Sequence, residues 1–203
     1  MDHDHCDVVR PIRDIYFISI VYPCFLEKLK MTTRTLVIYS SVDGQTLKIV
    51  KRITALMEGD CTLVDVDEQQ EIDFSQYDKV LIGASIRYGN FRRNLLDFVN
   101  KHKTELELLP NAFFLVCLTA RKPEKAIPEN NAYMVKFNQL SQWQPCLKGV
   151  FAGALLYSRY NWWQTLIIQL IMKITGGSTD KDKDIELTDW SKVERFSQDF
   201  SAL

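Results

Sequence analysis

The sequence predicts an α/β fold in which a doubly wound parallel sheet is covered by helices on both faces. Three observations lead to this prediction: five apolar strand-like runs, helical periodicity between most of them, and 46% hydrophobic residues in a chain of 203. Strands that alternate with helices form crossover units, and such units build parallel sheets. The length suits one globular domain with a sizeable core.

The strand-like runs are continuous apolar segments of the kind found in sheets that are buried on both faces. They read RTLVIY (34–39), CTLVDV (61–66), KVLIGAS (79–85), AFFLVCL (112–118) and KGVFAGALL (148–156). Apolar residues at three- and four-residue spacing predict helices over 46–57, 91–102 and 130–142. A last amphipathic helix is predicted to follow Asp189, which has the side chain of a good N-cap.

Composition and charge exclude several classes of function. The chain has 25 basic and 26 acidic residues, so it lacks the basic field that nucleic acid requires, and we expect no nucleic-acid partner. Five scattered cysteines with no CxxC pair or zinc spacing indicate reduced thiols and no metal site. His3, His5 and Cys6 lie close together in the sequence, but we interpret them as flexible terminal residues.

The first 30 residues do not match the pattern that follows them. Their apolar run IYFISIVYPCFL has 12 residues and contains Pro23, so it is too short to span a bilayer. It also lacks the small-residue cleavage site of a signal peptide. We therefore expect the folded domain to begin near Met31, with residues 1–30 as a leader that is dispensable or results from a misplaced start.

The loop SSVDGQT (40–46) connects the first predicted strand to the first helix and is rich in small hydrogen-bonding groups. In a parallel sheet this loop lies at the carboxyl edge, where ligands bind, and a helix N-terminus attracts anions. Gly44 permits a close turn, while Ser41, Gln45 and Thr46 offer donors. The loop has no lysine of the kind that nucleoside triphosphates require, so it suits a monophosphate. A plain helix start is the alternative.

The stretch VIYSSVDGQTLKIVKRI (37–53) resembles the signature of the flavodoxin family, whose members bind flavin mononucleotide (FMN). The resemblance implies a five-stranded parallel sheet of order 2-1-3-4-5 and FMN as the cofactor. It assigns phosphate binding to Ser41, Gly44, Gln45 and Thr46, with Val42 and Asp43 contributing mainly backbone. Val50 stands where the family usually has alanine, which indicates a different helix packing.

Two further loops are expected at the same edge of the sheet. The loop in GASIRYGNF (83–91) contributes Ser85, Ile86, Arg87, Tyr88 and Gly89 to the predicted cofactor site, with Tyr88 offering a flat face to the flavin ring. The third loop, LTARKPEKAIPEN (118–130), contributes Thr119, Ala120 and Arg121. We predict Arg87, Arg121 and Lys122 as contacts for an anionic substrate. A surface turn and a solvated charge run are the alternatives for the two loops.

Longer strings resemble the bacterial quinone-dependent protoporphyrinogen oxidases, a flavodoxin-fold family of haem biosynthesis. These strings are GASIRYGNF, TARKPEK, SQWQP and LIMKITGGSTD, and the similarity extends from Thr35 to the C-terminus. It implies that protoporphyrinogen IX is oxidised and that menaquinone or ubiquinone accepts the electrons. It also implies a peripheral location on the cytoplasmic side of the bacterial inner membrane.

The segment 157–184 follows the fifth predicted strand and contains an unusually apolar stretch. A helix over Tyr160–Thr175 would have only a narrow polar stripe, so most of its surface would have to be buried against another surface. Its 16 residues do not span a bilayer, so we predict contact with a membrane interface or a partner. The predicted membrane contacts are Trp162, Trp163, Leu166, Ile167, Leu170 and Ile171. Dimerisation, which would make a homo-oligomer, or packing as a further core helix is the alternative.

Two other functions are compatible with the same fold. One-electron carrier flavodoxins are typically strongly acidic and lack an apolar appendage, so a net charge of −1 disfavours that role. A soluble NAD(P)H:quinone reductase needs a nicotinamide site, and no distinct feature indicates one. No Cys–His or Ser–His arrangement suggests covalent catalysis. His102 is expected to face solvent, so we do not assign it as a base, and we expect a reaction centred on the flavin with no catalytic side chain identified.

Overall fold

A computed structural model describes residues 32–68, 71–155 and 184–203. The main sheet in these residues has five strands: β1 Arg34–Ser40, β2 Asp60–Asp65, β3 Lys79–Ser85, β4 Asn111–Val116 and β5 Leu147–Phe151. Their order is β2-β1-β3-β4-β5, and every neighbouring pair is parallel. The predicted doubly wound sheet is therefore confirmed, with its change of direction between β1 and β3.

The described residues contain five α-helices: α1 Gln45–Leu56, α2 Arg93–Lys101, α3 Lys103–Leu108, α4 Ala132–Leu140 and α5 Trp190–Ser201. Short 3-10 turns span Phe74–Gln76, Leu118–Arg121, Pro123–Lys125 and Pro128–Asn130. Asp189 caps α5, as predicted, by accepting hydrogen bonds from the amides of Ser191 and Lys192. The separate helix α3 was not predicted from the sequence.

Alternate residues of the strands enter two hydrophobic clusters, one on each face of the sheet. Leu36 and Ile38 of β1 belong to one cluster, which also contains buried residues of α2, α3 and α4. Val37, between them, belongs to the other cluster, which contains buried residues of α1 and α5. Because both faces are covered, the strands must be apolar throughout, and this explains the continuous apolar runs.

The predicted fifth strand, 148–156, is wrong in its length. β5 ends at Phe151, and the chain then forms a two-residue strand β6, Ala154–Leu155. This strand pairs antiparallel with β7, Ile185–Glu186, so that Leu155 lies opposite Ile185. Hydrophobicity alone did not mark where the chain leaves the main sheet, because both β5 and β6 are apolar.

Two predictions concern parts of the chain outside the described residues. These are the leader 1–30 and the apolar helix Tyr160–Thr175 with its six predicted membrane contacts. In the part of the chain that the structure describes, no helix is both long and apolar enough to cross a bilayer.

Candidate functional site

The loop between β1 and α1 leaves the start of the helix without a side-chain cap. Gly44 is the N-cap residue, and its φ of 91° is a left-handed conformation that glycine adopts without strain. The first amides of a helix have no intrahelical partner, and the helix dipole places positive charge there. This helix start is therefore suited to an anion such as a phosphate group.

Three buried serine hydroxyls near this edge have no hydrogen-bond partner among the described residues: Ser40, Ser41 and Ser85. Ser41 and Ser85 line a cavity, together with the buried Thr46, whereas Ser40 does not. An unpaired buried hydroxyl costs about 1–3 kcal/mol. The hydroxyls of Ser41 and Ser85 are consequently suited to hydrogen bonding with a ligand in that cavity.

The side chain of Gln45 is already engaged with the chain near β7. Its amide nitrogen donates to Glu186 Oε1 and to Thr188 Oγ1, both at 2.8 Å. Lys48 Nζ lies 2.7 Å from Glu186 Oε2. Burial would raise the pKa of Glu186, but hydrogen bonds from Lys48 and Gln45 hold it below its ordinary value. The backbone N–H of Gln45 is therefore the part of this residue that suits the predicted phosphate contact.

An ion pair joins the first loop to the second. Arg87 Nη1 donates to Asp43 Oδ1 at 2.7 Å, and both side chains are about one-third exposed or less, at 26% and 31%. Arg87 Cζ also lies 5.3 Å from the centroid of the Tyr88 ring. A substrate carboxylate that binds Arg87, as the sequence predicted, would have to share this guanidinium with Asp43.

The second loop closes in a tight turn. Arg87 N donates to Asn90 O at 3.1 Å, and Asn90 N donates to Arg87 O at 3.0 Å. The two central residues have positive φ, 50° at Tyr88 and 77° at Gly89. Positive φ at both central positions is the geometry of a type I′ turn, and it is unusual for a tyrosine. The turn contributes both central residues to the wall of the cavity.

The cavity has a volume of about 190 Å³ and lies where the carboxyl ends of β1, β3 and β4 meet the segment after β5. Ten of the predicted cofactor residues line it: Ser41, Asp43, Gln45, Thr46, Ser85, Ile86, Arg87, Tyr88, Gly89 and Thr119. The sequence reasoning missed six others: Val116, Cys117, Leu118, Tyr133, Gly153 and Ala154. The parallel strand order was the signal for most of these six, because it brings the ends of β4 and β5 to the same edge.

Cys117 and Tyr133 form a wall of the cavity that the sequence did not indicate. Cys117 Sγ lies 3.2 Å from Thr119 Oγ1, and Asn131 Nδ2 donates to the same sulfur at 3.6 Å. Burial raises the pKa of the Tyr133 phenol, with a smaller contribution from Cys117. Tyr133 therefore presents a neutral aromatic side chain to the cavity.

The third loop does not bring all of its predicted residues to this cavity. Ala120 and Arg121 instead line a neighbouring cavity of about 140 Å³, together with Lys192. Arg121 Nη1 donates to Leu118 O at 3.1 Å. Lys122 is exposed. The assignments of Ala120, Arg121 and Lys122 to ligand binding therefore remain predictions, as do those of Val42 and Gly44.

His102 is not solvent-facing, contrary to the expectation from its polar neighbours. Its side chain is 18% exposed, and its ring centroid lies 5.2 Å from that of Phe74 and 4.7 Å from that of Phe98. Burial lowers the pKa of His102; Glu105 opposes this shift and Lys101 adds to it. His102 is not among the residues that line the 190 Å³ cavity.

Within 32–68, 71–155 and 184–203, no group of three or more His, Cys, Asp or Glu side chains could hold a metal ion. Cys61, Cys117 and Cys146 are free thiols.

Comparison with known proteins decides the family. A model of the flavodoxin domain matches residues 36–182. The chain belongs to the flavodoxin family. A solved relative of this fold is oxidised flavodoxin 1 from Bacillus cereus, with 16% identity and a TM-score of 0.45 over 84% of this chain and 98% of that one.

Two curated proteins are much more similar to this chain in sequence. Protoporphyrinogen IX dehydrogenase (quinone) from Leishmania major is 45% identical over 174 residues, which cover 84% of this chain and 75% of that relative. The protein of the same name from Escherichia coli K12 is 42% identical over 173 residues, which cover 84% of this chain and 96% of that relative.

FMN is the cofactor of this flavodoxin-family protein, and the residues of the cavity fit it. The uncapped start of α1 and the Ser41 hydroxyl suit the phosphate group. The Ser85 hydroxyl suits a polar edge of the ring, and Tyr88 and Tyr133 provide aromatic surface. Lys48, the cation of the first helical turn, is paired with Glu186, so neutral donors remain for the phosphate.

Proposed function

We propose that this protein oxidises protoporphyrinogen IX to protoporphyrin IX, a reaction of haem biosynthesis, and passes the electrons to a quinone. The observation that carries this proposal is the 42% identity that spans 96% of the E. coli relative, whose name states both the substrate and the acceptor. The cavity supports it, because its lining suits a flavin, with polar groups of Ser41 and Ser85 beside the apolar Ile86, Val116 and Leu118.

The stoichiometry of the reaction explains why a flavoprotein is suitable. Conversion of protoporphyrinogen IX to protoporphyrin IX removes six electrons and six protons. When bound, FMN supplies a redox centre that exchanges two electrons at a time. Three quinones are therefore reduced to three quinols per porphyrin, and each takes two electrons and two protons.

The protein binds and orients the reactants in this proposal. Ser41, Thr46 and the first amides of α1 hold the phosphate end of the cofactor. Ile86, Val116 and Leu118 give the cavity apolar walls that keep water away from the reacting ring. No side chain of the cavity is assigned as the acceptor of the protons from the substrate.

The propionate groups of the substrate need cationic contacts near the cavity. Arg87 is paired with Asp43, and Arg121 bonds to Leu118 O, so neither guanidinium is fully available. Lys122 is exposed on the same loop as Arg121 and carries an ammonium group. We therefore assign Lys122 as the first candidate among the three for contact with a propionate.

We also infer that the protein is peripheral to the cytoplasmic side of a bacterial inner membrane. A quinone with an isoprenoid tail dissolves in the bilayer, so a reductant in solution must approach the membrane. The sequence of 157–184 supports this location, because Trp162, Trp163 and Leu166 belong to a predicted helix that would have an unusually narrow polar stripe.

The activity is tested with purified full-length protein loaded with FMN. Protoporphyrinogen IX is added with a menaquinone or ubiquinone analogue and without nicotinamide, and the appearance of porphyrin fluorescence is followed. We expect quinone-dependent oxidation well above the rate without protein. Reduction of the flavin by NADPH but not by protoporphyrinogen IX would refute the proposal and indicate an NAD(P)H:quinone reductase.

The membrane location is tested by flotation with vesicles of phosphatidylethanolamine and phosphatidylglycerol. The parent protein is expected to float with the vesicles, and the double variant Trp162→Ala/Trp163→Ala is expected to remain in solution. Gln169→Ala changes a polar residue of the same predicted helix and is the control, which should float like the parent. Equal flotation of all three proteins would contradict the role of the tryptophans.

A further inference from the structure

We propose that Lys136 of α4 is a positioning residue for the cofactor, because it fixes the peptide groups of the turn that lines the cavity at Tyr88 and Gly89. Lys136 Nζ donates to Gly89 O at 3.1 Å and to Asn90 Oδ1 at 2.7 Å. Lys136 itself does not line the cavity, so it would act through the turn. This inference rests on the proposed use of FMN.

The turn needs an external support because its backbone is strained. Tyr88 has a φ of 50°, in the left-handed region that non-glycine residues rarely adopt. Such a conformation persists when the surrounding structure over-determines it. Arg87 and Asn90 close the turn through their backbones, and Lys136 binds it from α4, across 46 or 47 residues of sequence.

The hydrogen bonds of the turn determine which polar groups remain for a ligand. Arg87 O accepts from Asn90 N at 3.0 Å, Tyr88 O accepts from Asn90 Nδ2 at 3.0 Å, and Gly89 O accepts from Lys136 Nζ. The carbonyls of the turn are thus occupied. Among the backbone–backbone hydrogen bonds of the described residues, Gly89 N–H donates to none, and Gly89 lines the cavity. Because Lys136 occupies the carbonyl oxygen of Gly89, the turn presents a hydrogen-bond donor to the cavity. A donor at this position suits an acceptor atom on the edge of the ligand.

Helix α4 contributes to the site through a second residue besides Lys136, so the helix has a defined position relative to the cavity. Tyr133 precedes Lys136 by one helical turn and lines the cavity directly. Asn131 caps the helix by accepting from Tyr133 N at 2.9 Å and also donates to Lys125 O at 2.7 Å. The start of α4 is therefore held against the third loop, and this fixes the position from which Lys136 reaches the turn.

Lys148 provides a matched control for the loss of a bridging lysine. Its Nζ lies 3.1 Å from Asn138 Oδ1 and 3.1 Å from Gln144 Oε1, so it also links α4 to another segment through two oxygens. It is half-buried like Lys136, and it does not contact the cavity. A general effect of losing such a bridge would be the same in Lys136→Met and Lys148→Met.

The test is the dissociation constant of FMN, measured by quenching of flavin fluorescence as the FMN-free full-length chain is added. We expect Lys136→Met to raise the constant about tenfold, since a hydrogen bond to a charged group has been lost at the turn. Lys136→Arg, which retains the donor and the charge, should restore it to within about threefold of the parent. Lys148→Met should bind FMN like the parent.

The outcomes separate this inference from the proposed function. If Lys136→Met binds FMN as tightly as the parent, if Lys148→Met weakens binding equally, or if arginine does not restore binding, the positioning role is wrong. If the parent itself does not bind FMN, the proposed function fails as well. Urea unfolding of the FMN-free variants shows whether Lys136→Met loses more stability than Lys148→Met, and a larger loss that explains the weaker binding would also overturn the inference.

Discussion

Arg87 Nη1 and Asp43 Oδ1 lie 2.7 Å apart, so an ion pair links the loop after β1 to the loop after β3. Both side chains are more than two-thirds buried, and the guanidinium also lies over the Tyr88 ring. These two loops carry most of the predicted cofactor contacts. The pair therefore holds together two parts of the site that are 44 residues apart in sequence.

We expect the pair to stabilise the FMN-free fold measurably. A double-mutant cycle with Asp43→Asn and Arg87→Met, followed by urea unfolding, should give a coupling energy of about 0.5–1 kcal/mol. The exposed pair Arg93–Asp97, with side chains 95% and 69% exposed, is the control and should give a coupling near zero. A coupling at Asp43–Arg87 no larger than that of the control would contradict the prediction.

Ser41 should contribute to FMN binding and not to the stability of the FMN-free chain. Its hydroxyl is buried and has no hydrogen-bond partner among the described residues, so Ser41→Ala removes no bond from the FMN-free protein. We expect unchanged unfolding but about tenfold weaker binding of FMN, because a hydroxyl bonded to phosphate is a charge-assisted donor.

Ser40 is the matched control for that experiment, since its hydroxyl is equally unpaired in the described residues but does not line the cavity. Ser40→Ala should bind FMN like the parent. Equal weakening in both alanine variants would show that the effect comes from the strand end and not from a phosphate contact.

Gly83 should be intolerant of a side chain although it lies in a regular strand. A Cβ added there would lie 2.5 Å from Phe114 Cζ. That ring is fully buried and packs on Phe151 and Phe196, at centroid distances of 5.4 Å and 6.0 Å, so it has little room to move. We expect Gly83→Ala to lower the free energy of unfolding by about 1–3 kcal/mol, as measured by urea denaturation.

Gly153→Ala is the comparison for this overpacking effect. Its added Cβ would approach Val116 Cγ1 at 3.2 Å, a contact that a small shift relieves. The loss of stability should be clearly smaller than at Gly83. A larger loss of stability in Gly153→Ala than in Gly83→Ala would show that the Phe114 ring can move away from an added Cβ at position 83.

Glu186 should make stability depend on pH in the acidic range. Burial would raise its pKa, but hydrogen bonds from Lys48 and Gln45 lower it below the ordinary value of 4.5. A carboxylate whose pKa is lower in the folded state contributes stability that is complete above the unfolded value and disappears as the pH falls through the folded value. Glu186→Gln should therefore be less stable than the parent at neutral pH and equal to it in stronger acid.

The measurement is the urea midpoint of both proteins at a series of pH values from neutrality into acid. Glu71→Gln, at another exposed glutamate, is the control for the substitution itself and should unfold like the parent at neutral pH. A difference between Glu186→Gln and the parent that persists unchanged at the lowest pH would mean that the effect is not electrostatic.

Much of the fold could be predicted because burial on both faces requires continuous apolar strands. β3 was predicted with both ends correct, Lys79–Ser85, since these two polar residues begin and end its apolar run. Helix α3 was missed because its six residues, KTELEL, have one buried position, Leu106, which is too little for a periodic pattern. His102 was expected to face solvent, but Phe74, distant in sequence, contributes to its burial.

The position of the site could be predicted from the sequence, but the hydrogen bonds that each side chain forms could not. The carboxyl ends of parallel strands meet at one edge, and this places Ser41 and Ser85 at the same cavity. The side chain of Gln45, however, bonds to residues more than 140 positions later in the chain. Tyr133 was missed for a similar reason, since it reaches the cavity from a helix and not from a loop.

The antiparallel pairing of Leu155 with Ile185 has a practical consequence for protein engineering. Because Leu155 and Ile185 lie side by side in adjacent antiparallel strands, a two-residue hairpin turn of the Asn-Gly kind could connect them directly. The 29 positions between them can thus be exchanged or shortened without lengthening any connection in the five-stranded core. The same junction allows residues 156–184 to be replaced as a unit by protein engineering.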